Sequence, residues 1–188
     1  MMKLPALLDS TGMPACGEAL GMIPATVPQM MSDLRILSLE IQRMPKNPQH
    51  EFGKVEEYPY RSVCTISTHD MATLRGWWEE DMELTSRYYN HVLGNWGEVP
   101  ATAPAEICEE IVHQHLYSPS LLAILVFQDW LSMDADIRYP DANAERINVP
   151  ANPRHYWRYR MHLTIEELMK SKNFNEKLTS MINETRRY

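Results

Sequence analysis

The stretch "SVCTISTHD", residues 62–70, decides how this sequence folds. Its first seven residues form a short apolar run of the kind that suits a strand buried on both faces, and His69-Asp70 follow at once. Three other runs have the same character: "MPACGE" (13–18), "ILSLEIQ" (36–42) and "LLAILVFQ" (121–128). Each is followed by chemistry-bearing residues. The first ends in Gly17-Glu18, the second in Glu40-Ile41-Gln42-Arg43, and the fourth in Gln128-Asp129.

Helical material lies between the runs. "PATVPQMMSDLRIL" follows the first, with Pro24 suited to a helix N-terminus and Met30, Met31 and Leu34 expected to face a core. Residues 81–93 and 104–116 read as two amphipathic helices separated by the breaker-rich "GNWGEVPATAP". A polar stretch, 134–153, precedes a helical tail that Thr164 and Glu167 open as a capping box. Residues 43–61, with three prolines and mixed charge, read as a long loop, a feature often tied to function. The alternation predicts an α/β fold with parallel strands.

A chain of 188 residues fits one domain or a piece of a larger one. Eighteen basic against twenty-five acidic residues argue against nucleic acid and against an anionic membrane, both of which are held by basic patches. A neutral ligand such as a sugar imposes no such demand. Cys16, Cys64 and Cys108 are odd in number and lack C-x-x-C spacing, and two lie in apolar runs, which suits free thiols in a reducing cytoplasm. The opening "MMKLPALLDS" is too short in its apolar part for a signal peptide, and no run approaches membrane-spanning length.

In a parallel α/β barrel, residues at the C-terminal ends of strands share one rim, where active sites sit. Two carboxylates there, Glu18 and Asp70, suit glycosyl transfer: one protonates a leaving oxygen while another stabilises an oxocarbenium-like centre. Ordinary solvated acids at strand ends give the same pattern, and His69 alone reads equally as a hydrogen-bonded structural residue. From the residues, both readings stand.

The strings "CGEALGMIP", "ILSLEIQRMPK", "STHDMATLRGWWEED" and "ERINVPANPRHYWRYRMHLTIEEL" together resemble the 4-alpha-glucanotransferases (amylomaltases, or disproportionating enzymes) of glycoside hydrolase family 77, especially the longer bacterial and plant-cytosolic branch. The resemblance runs through essentially the whole chain, in order. It implies a TIM barrel, residues 1–188 being its C-terminal portion with strands five to eight and the N-terminal half absent. It implies Glu18 as general acid/base, Asp70 as transition-state stabiliser and His69 as a contact to the donor sugar, with Arg43 and Asn148 near the sugar-binding cleft. The implied reaction is retaining transfer of α-1,4-glucan segments between maltooligosaccharides, with no cofactor and no metal. The family's nucleophilic aspartate lies in an Arg-x-Asp-His string that this sequence lacks. The chain alone is therefore expected to be inactive without the N-terminal half, or to serve as a non-catalytic maltooligosaccharide-binding or partner-pairing module. Ala19 stands where the family usually has an acid, which puts acceptor binding or the positioning of Glu18 in doubt.

Trp77 and Trp78 suit either sugar stacking or packing; one is expected in the core, and Trp78 is kept as a substrate-binding candidate. Tyr156, Trp157 and Tyr159 alternate with Arg154, Arg158 and Arg160, which the resemblance explains as barrel closure rather than a nucleic-acid stripe. Glu109 and His113 stand one helical turn apart, but two ligands on one helix read as a solvated face, not a metal site.

Overall fold

A computed structural model describes residues 3–18 and 23–187, so Ala19 lies outside the described residues. Four parallel strands form one sheet in chain order: β1 (Cys16–Gly17), β2 (Leu37–Ile41), β3 (Ser62–Thr65) and β4 (Leu122–Ala123). Cys16 pairs with Leu37, Ser38 with Ser62, and Val63 with Leu122. The α/β, parallel reading of the four apolar runs is what the structure shows.

The fourth run departs from expectation beyond Ala123. Its end turns into helix α6 (Phe127–Leu131), and Gln128 and Asp129 are buried there rather than set at a strand end. An apolar run of this length does not distinguish a buried strand from a buried helix. Asp129 uses one carboxylate oxygen to accept the Leu74 amide at 2.8 Å, so it serves the framework.

The chain divides into two compact units. One comprises Met1–Thr65 with Ser118–Ile124 and holds the sheet; the other comprises Ile66–Tyr117 with Leu125–Tyr188. In the first unit, helices α1 (Lys3–Asp9) and α2 (Thr26–Asp33) precede β1 and β2 respectively. Pro28 sits in the first turn of α2, where a missing N–H costs nothing. Met31 is buried with Ile36, whereas Met30 points outward, correcting the expectation that both face the core. The helix ends in paired bonds, Arg35 N–H to Ser32 O and Ile36 N–H to Met31 O. Arg35 takes the left-handed conformation that closes such an end (φ 56°). Gly17 on β1 lets Met31 pack closely: a Cβ there would stand 2.8 Å from the Met31 methyl, which would have to shift. Residues 43–61 are mostly irregular, with a 3-10 turn at Val55–Glu57. Val55 and Tyr58 pack with Cys64 of β3. Side chains lock β4's segment onto β3: Ser62 donates to Ser120 at 2.7 Å, and Cys64 lies 3.2 Å from the Ser118 hydroxyl.

The second unit is helical. Thr73 caps α3 (Leu74–Glu80), and Asp81 ends it by capping α4 (Met82–His91). Helices α5 (Ala105–Leu116), α7 (Ile165–Lys170) and α8 (Lys172–Glu184) complete the set. The Thr164–Glu167 capping box forms as the sequence predicts. Trp77 and Trp78 are both core residues: Trp77 meets Tyr88 edge-to-face at 5.1 Å, and Trp78 is fully buried with its indole N–H donating to Pro100 O. The face carrying Glu109 and His113 is not simply solvated. Lys177 reaches Glu109 at 2.6 Å, and His113 lies 3.5 Å from Glu184, so α5 and α8 share a charged seam. Residues 154–160 form neither helix nor strand. No described helix is long and apolar enough to cross a membrane.

Candidate active site

Asp70 occupies the turn that links β3 to α3. The Thr68 hydroxyl accepts the Asp70 amide at 3.3 Å, and the Met71 amide returns to Thr68 O. Three residues later Thr73 starts α3, which fixes the turn from its C-terminal side. The Asp70 carboxylate is half exposed and has two side-chain neighbours. Asn148 donates through its amide to Oδ1 at 2.6 Å, and His69 Nε2 lies 3.4 Å from Oδ2. The His69 ring packs against Trp157, centroids 4.8 Å apart and planes tilted by 46°. Trp157 keeps 60% of its surface exposed.

Asn148 belongs to a strap over residues 139–155, irregular apart from a 3-10 turn at Ala142–Glu145, and its placement is built from several bonds. Arg146 donates through Nε to Asn148 O at 3.0 Å and pairs with Glu80 at 2.8 Å. His155 Nε2 lies 2.9 Å from Ile147 O. Upstream, Arg75 reaches Glu145 at 2.6 Å in a pair almost wholly shielded from water, and the Thr73 hydroxyl donates to the other Glu145 oxygen. Burial pushes the Glu145 carboxyl above the usual carboxylate range, with Arg75 and Thr73 pulling it back.

The structure thus brings three of the residues singled out in sequence, His69, Asp70 and Asn148, into one cluster. A carboxylate held by an amide donor, with one side open, suits a cationic or electron-poor centre on a neutral ligand. The exposed ring of Trp157 beside it offers an apolar platform; spacing alone did not link Trp157 to His69. Arg75 and Glu145 were also missed, because an Arg and a Glu 70 residues apart carry no local sign of pairing. Trp78 is corrected: with no exposed surface it offers no sugar face.

In the sheet-bearing unit, Glu18 directly follows β1 and is exposed. Arg43 is half-buried just beyond β2. Glu40, on β2 itself, is buried and engaged by Lys46 and by the Ser38 hydroxyl, both at 2.5 Å. Cys16 lies close enough to Glu18 and Lys46 for both charges to act on its thiol, which partial burial pushes up first of all. Among the described residues, no group of three or more His, Cys, Asp or Glu side chains is arranged to hold a metal ion.

Parallel strands followed by chemistry-bearing turns define the class here as an α/β protein of the barrel type. The family model for 4-alpha-glucanotransferases matches residues 2–164, and the chain belongs to that family. It is 44% identical to the 4-alpha-glucanotransferase DPE2 of Oryza sativa subsp. japonica over 95% of its length, and 19% of that protein's. It is 28% identical to the 4-alpha-glucanotransferase of Chlamydia trachomatis over 95% of this chain and 34% of that one. The chain thus spans between a fifth and a third of these relatives. The fold matches the amylomaltase from Streptococcus agalactiae, solved in complex with acarbose, at a TM-score of 0.71. That match has 18% identity and covers 98% of this chain and 34% of that one. The amylomaltase from Corynebacterium glutamicum gives 0.63 at 17% identity, with 90% and 29% covered. The four strands and their helices therefore represent part of an amylomaltase-type barrel.

Proposed function

We propose that this chain contributes the acid/base and the transition-state-stabilising carboxylates to a retaining 4-alpha-glucanotransferase acting on maltooligosaccharides and other α-1,4-glucans. Residues 1–188 correspond in this reading to strands five to eight of the barrel. Glu18 protonates the leaving 4-oxygen as the C1–O bond breaks and a nucleophilic carboxylate bonds to C1. Glu18, now ionised, takes the proton from the acceptor's 4-hydroxyl, whose oxygen bonds to C1 as the C1–carboxylate bond breaks. Asp70 stays ionised and stabilises the positive charge shared by C1 and the ring oxygen in both steps. His69 and Asn148 contact the donor sugar, and Arg43 lines the cleft.

The observation that carries this reading is the short Asn148–Asp70 bond, which holds a half-open carboxylate in one orientation beside His69. The nucleophile must come from residues outside these 188, because no Arg-x-Asp-His string occurs among them. The partner is therefore the part of the enzyme that carries that string. The free, largely buried cysteines support a cytoplasmic location.

A second reading, a maltooligosaccharide-binding module without transfer, is favoured by one fact. Asp70, His69, Asn148 and Trp157 all lie in a single compact unit, so that unit holds a ligand face of its own. Maltotriose disproportionation followed by glucan chromatography separates the readings. The chain alone should show no transfer, and adding the polypeptide with the Arg-x-Asp-His string should restore it. Loss of restored transfer in Glu18→Gln and Asp70→Ala supports the enzyme; transfer that survives both substitutions overturns it. Binding by calorimetry without transfer in any mixture supports the module.

A further inference from the structure

We propose that Arg75 and Glu145 are positioning residues for Asp70, locking the 139–155 strap onto α3 in the one register that presents Asn148 to the Asp70 carboxylate. The inference rests on the role given to Asp70 above and extends it to two residues that touch no ligand.

Arg75 lies one residue into α3, and Asp70 lies just upstream in the same chain segment. Its guanidinium binds three groups of the strap at once: the Glu145 carboxylate and Tyr139 O, each at 2.6 Å, and Pro140 O at 3.5 Å. Glu145 is further held by Thr73, the cap of α3, and its backbone carbonyl accepts from Gln128 at 3.0 Å. At the C-terminal end of α3, Glu80 takes Arg146, which also grips the Asn148 carbonyl. The strap thus meets α3 through two charged, directional contacts, besides the Thr73 hydroxyl and the packing of Ala142 near Gly76.

A buried ion pair is an expensive way merely to pack a loop on a helix, since apolar residues of similar volume do it as well or better. What the guanidinium adds is register: Nη1 meets one Glu145 oxygen and Tyr139 O together while Nη2 faces Pro140 O, an arrangement that one placement of the strap satisfies. The position matters here to a single residue. A slip of one place would set Ile147 or Val149 opposite Asp70, and neither side chain can donate a hydrogen bond. Asn148 sits three residues beyond Glu145 and two beyond Arg146, so the two ion pairs set its reach directly.

The test uses the full chain, labelled with nitrogen-15, and reads the Asn148 side-chain amide by NMR. Asp70→Ala in the parent defines the released signal. Glu145→Gln, which removes the charge, and Arg75→Lys, which keeps the charge but loses the second nitrogen facing Pro140, should each shift the Asn148 amide toward that released position. Its solvent exchange should quicken roughly tenfold, the scale of one hydrogen bond. The Trp78 indole N–H, bonded to Pro100 in the same unit, should not move. An Asn148 signal unchanged in both folded variants would overturn the proposal. So would a shift accompanied by the Trp78 signal, or failure of both variants to fold, since either makes the pair a general structural support. The readout needs no sugar. Released Asn148 with no glucan transfer in any mixture would sink the reading of Asp70 and leave the positioning intact, whereas fixed Asn148 with normal transfer would do the reverse.

Discussion

Replacing Trp78 by Phe separates a core residue from a sugar platform. Trp78 is fully buried, its indole N–H donates to Pro100 O at 2.8 Å, and its ring meets Tyr89 edge-on at 6.2 Å. Phe preserves the six-membered ring but loses the bond to the partly buried Pro100 carbonyl, which costs about 0.5–1.5 kcal/mol. The missing five-membered edge leaves a small cavity worth about 1 kcal/mol more. The sum is about 1.5–2.5 kcal/mol. With a urea slope of roughly 2 kcal/mol per molar, the unfolding midpoint of the helical unit should fall by roughly 1 M. Far-ultraviolet circular dichroism in a urea titration measures this, and calorimetry with a maltooligosaccharide at a temperature where both proteins are folded completes the assay. Binding should be the same in parent and variant. An unmoved midpoint, or a folded variant that no longer binds a glucan bound by the parent, would refute the assignment of Trp78 to the core.

Two further predictions address the α7 cap and the cysteines. The Thr164 amide and hydroxyl hold the Glu167 carboxyl below its usual range, so its stabilising contribution is present above the unfolded value and is lost as pH falls through the depressed folded value. The Thr164 amide should then exchange faster as pH drops below about 4.5, relative to a Glu167→Gln reference, and a flat difference between the two would contradict the capping box. Burial pushes the Cys108 thiol up to about 11, and Cys64 is fully buried, whereas Cys16 is exposed. Iodoacetamide on the native chain at pH 8 should therefore add one group, on Cys16, by mass spectrometry. Three additions without denaturant would show that the buried thiols are open to reagent.

The central strands were legible because "ILSLEIQ" and "SVCTISTHD" are short stretches rich in Ile, Leu, Val and Thr between polar loops, and β2 and β3 fall inside them. The edge strands were overestimated. β1 and β4 have two residues each, much shorter than the apolar runs that contain them. Capping was readable for α7, where Thr164 and Glu167 are local in sequence. The support of the candidate site was not. Asn148 meets Asp70 across 78 residues of chain, and Arg75 meets Glu145 across 70, and neither pairing leaves a periodic trace. The resemblance pointed to Asn148, but only the fold shows which carboxylate it serves. Within the "HYWRYR" string, whose alternation raised a nucleic-acid stripe, His155 serves the strap and Trp157 packs against His69, contacts that no local pattern announces.

The sheet-bearing unit is interrupted in sequence: its last strand arrives only after residues 66–117, which belong to the other unit. On the ribosome, β1, β2 and β3 emerge first, and roughly fifty further residues must be made before β4 appears. At ordinary synthesis rates this is about 3–10 s. Throughout that interval β3 is a nascent edge, its Ser62 and Cys64 awaiting the Ser120 and Ser118 hydroxyls that later cover them. The time the ribosome takes over the helical insertion therefore sets how long this chain offers an open parallel strand to chaperones and to other nascent copies.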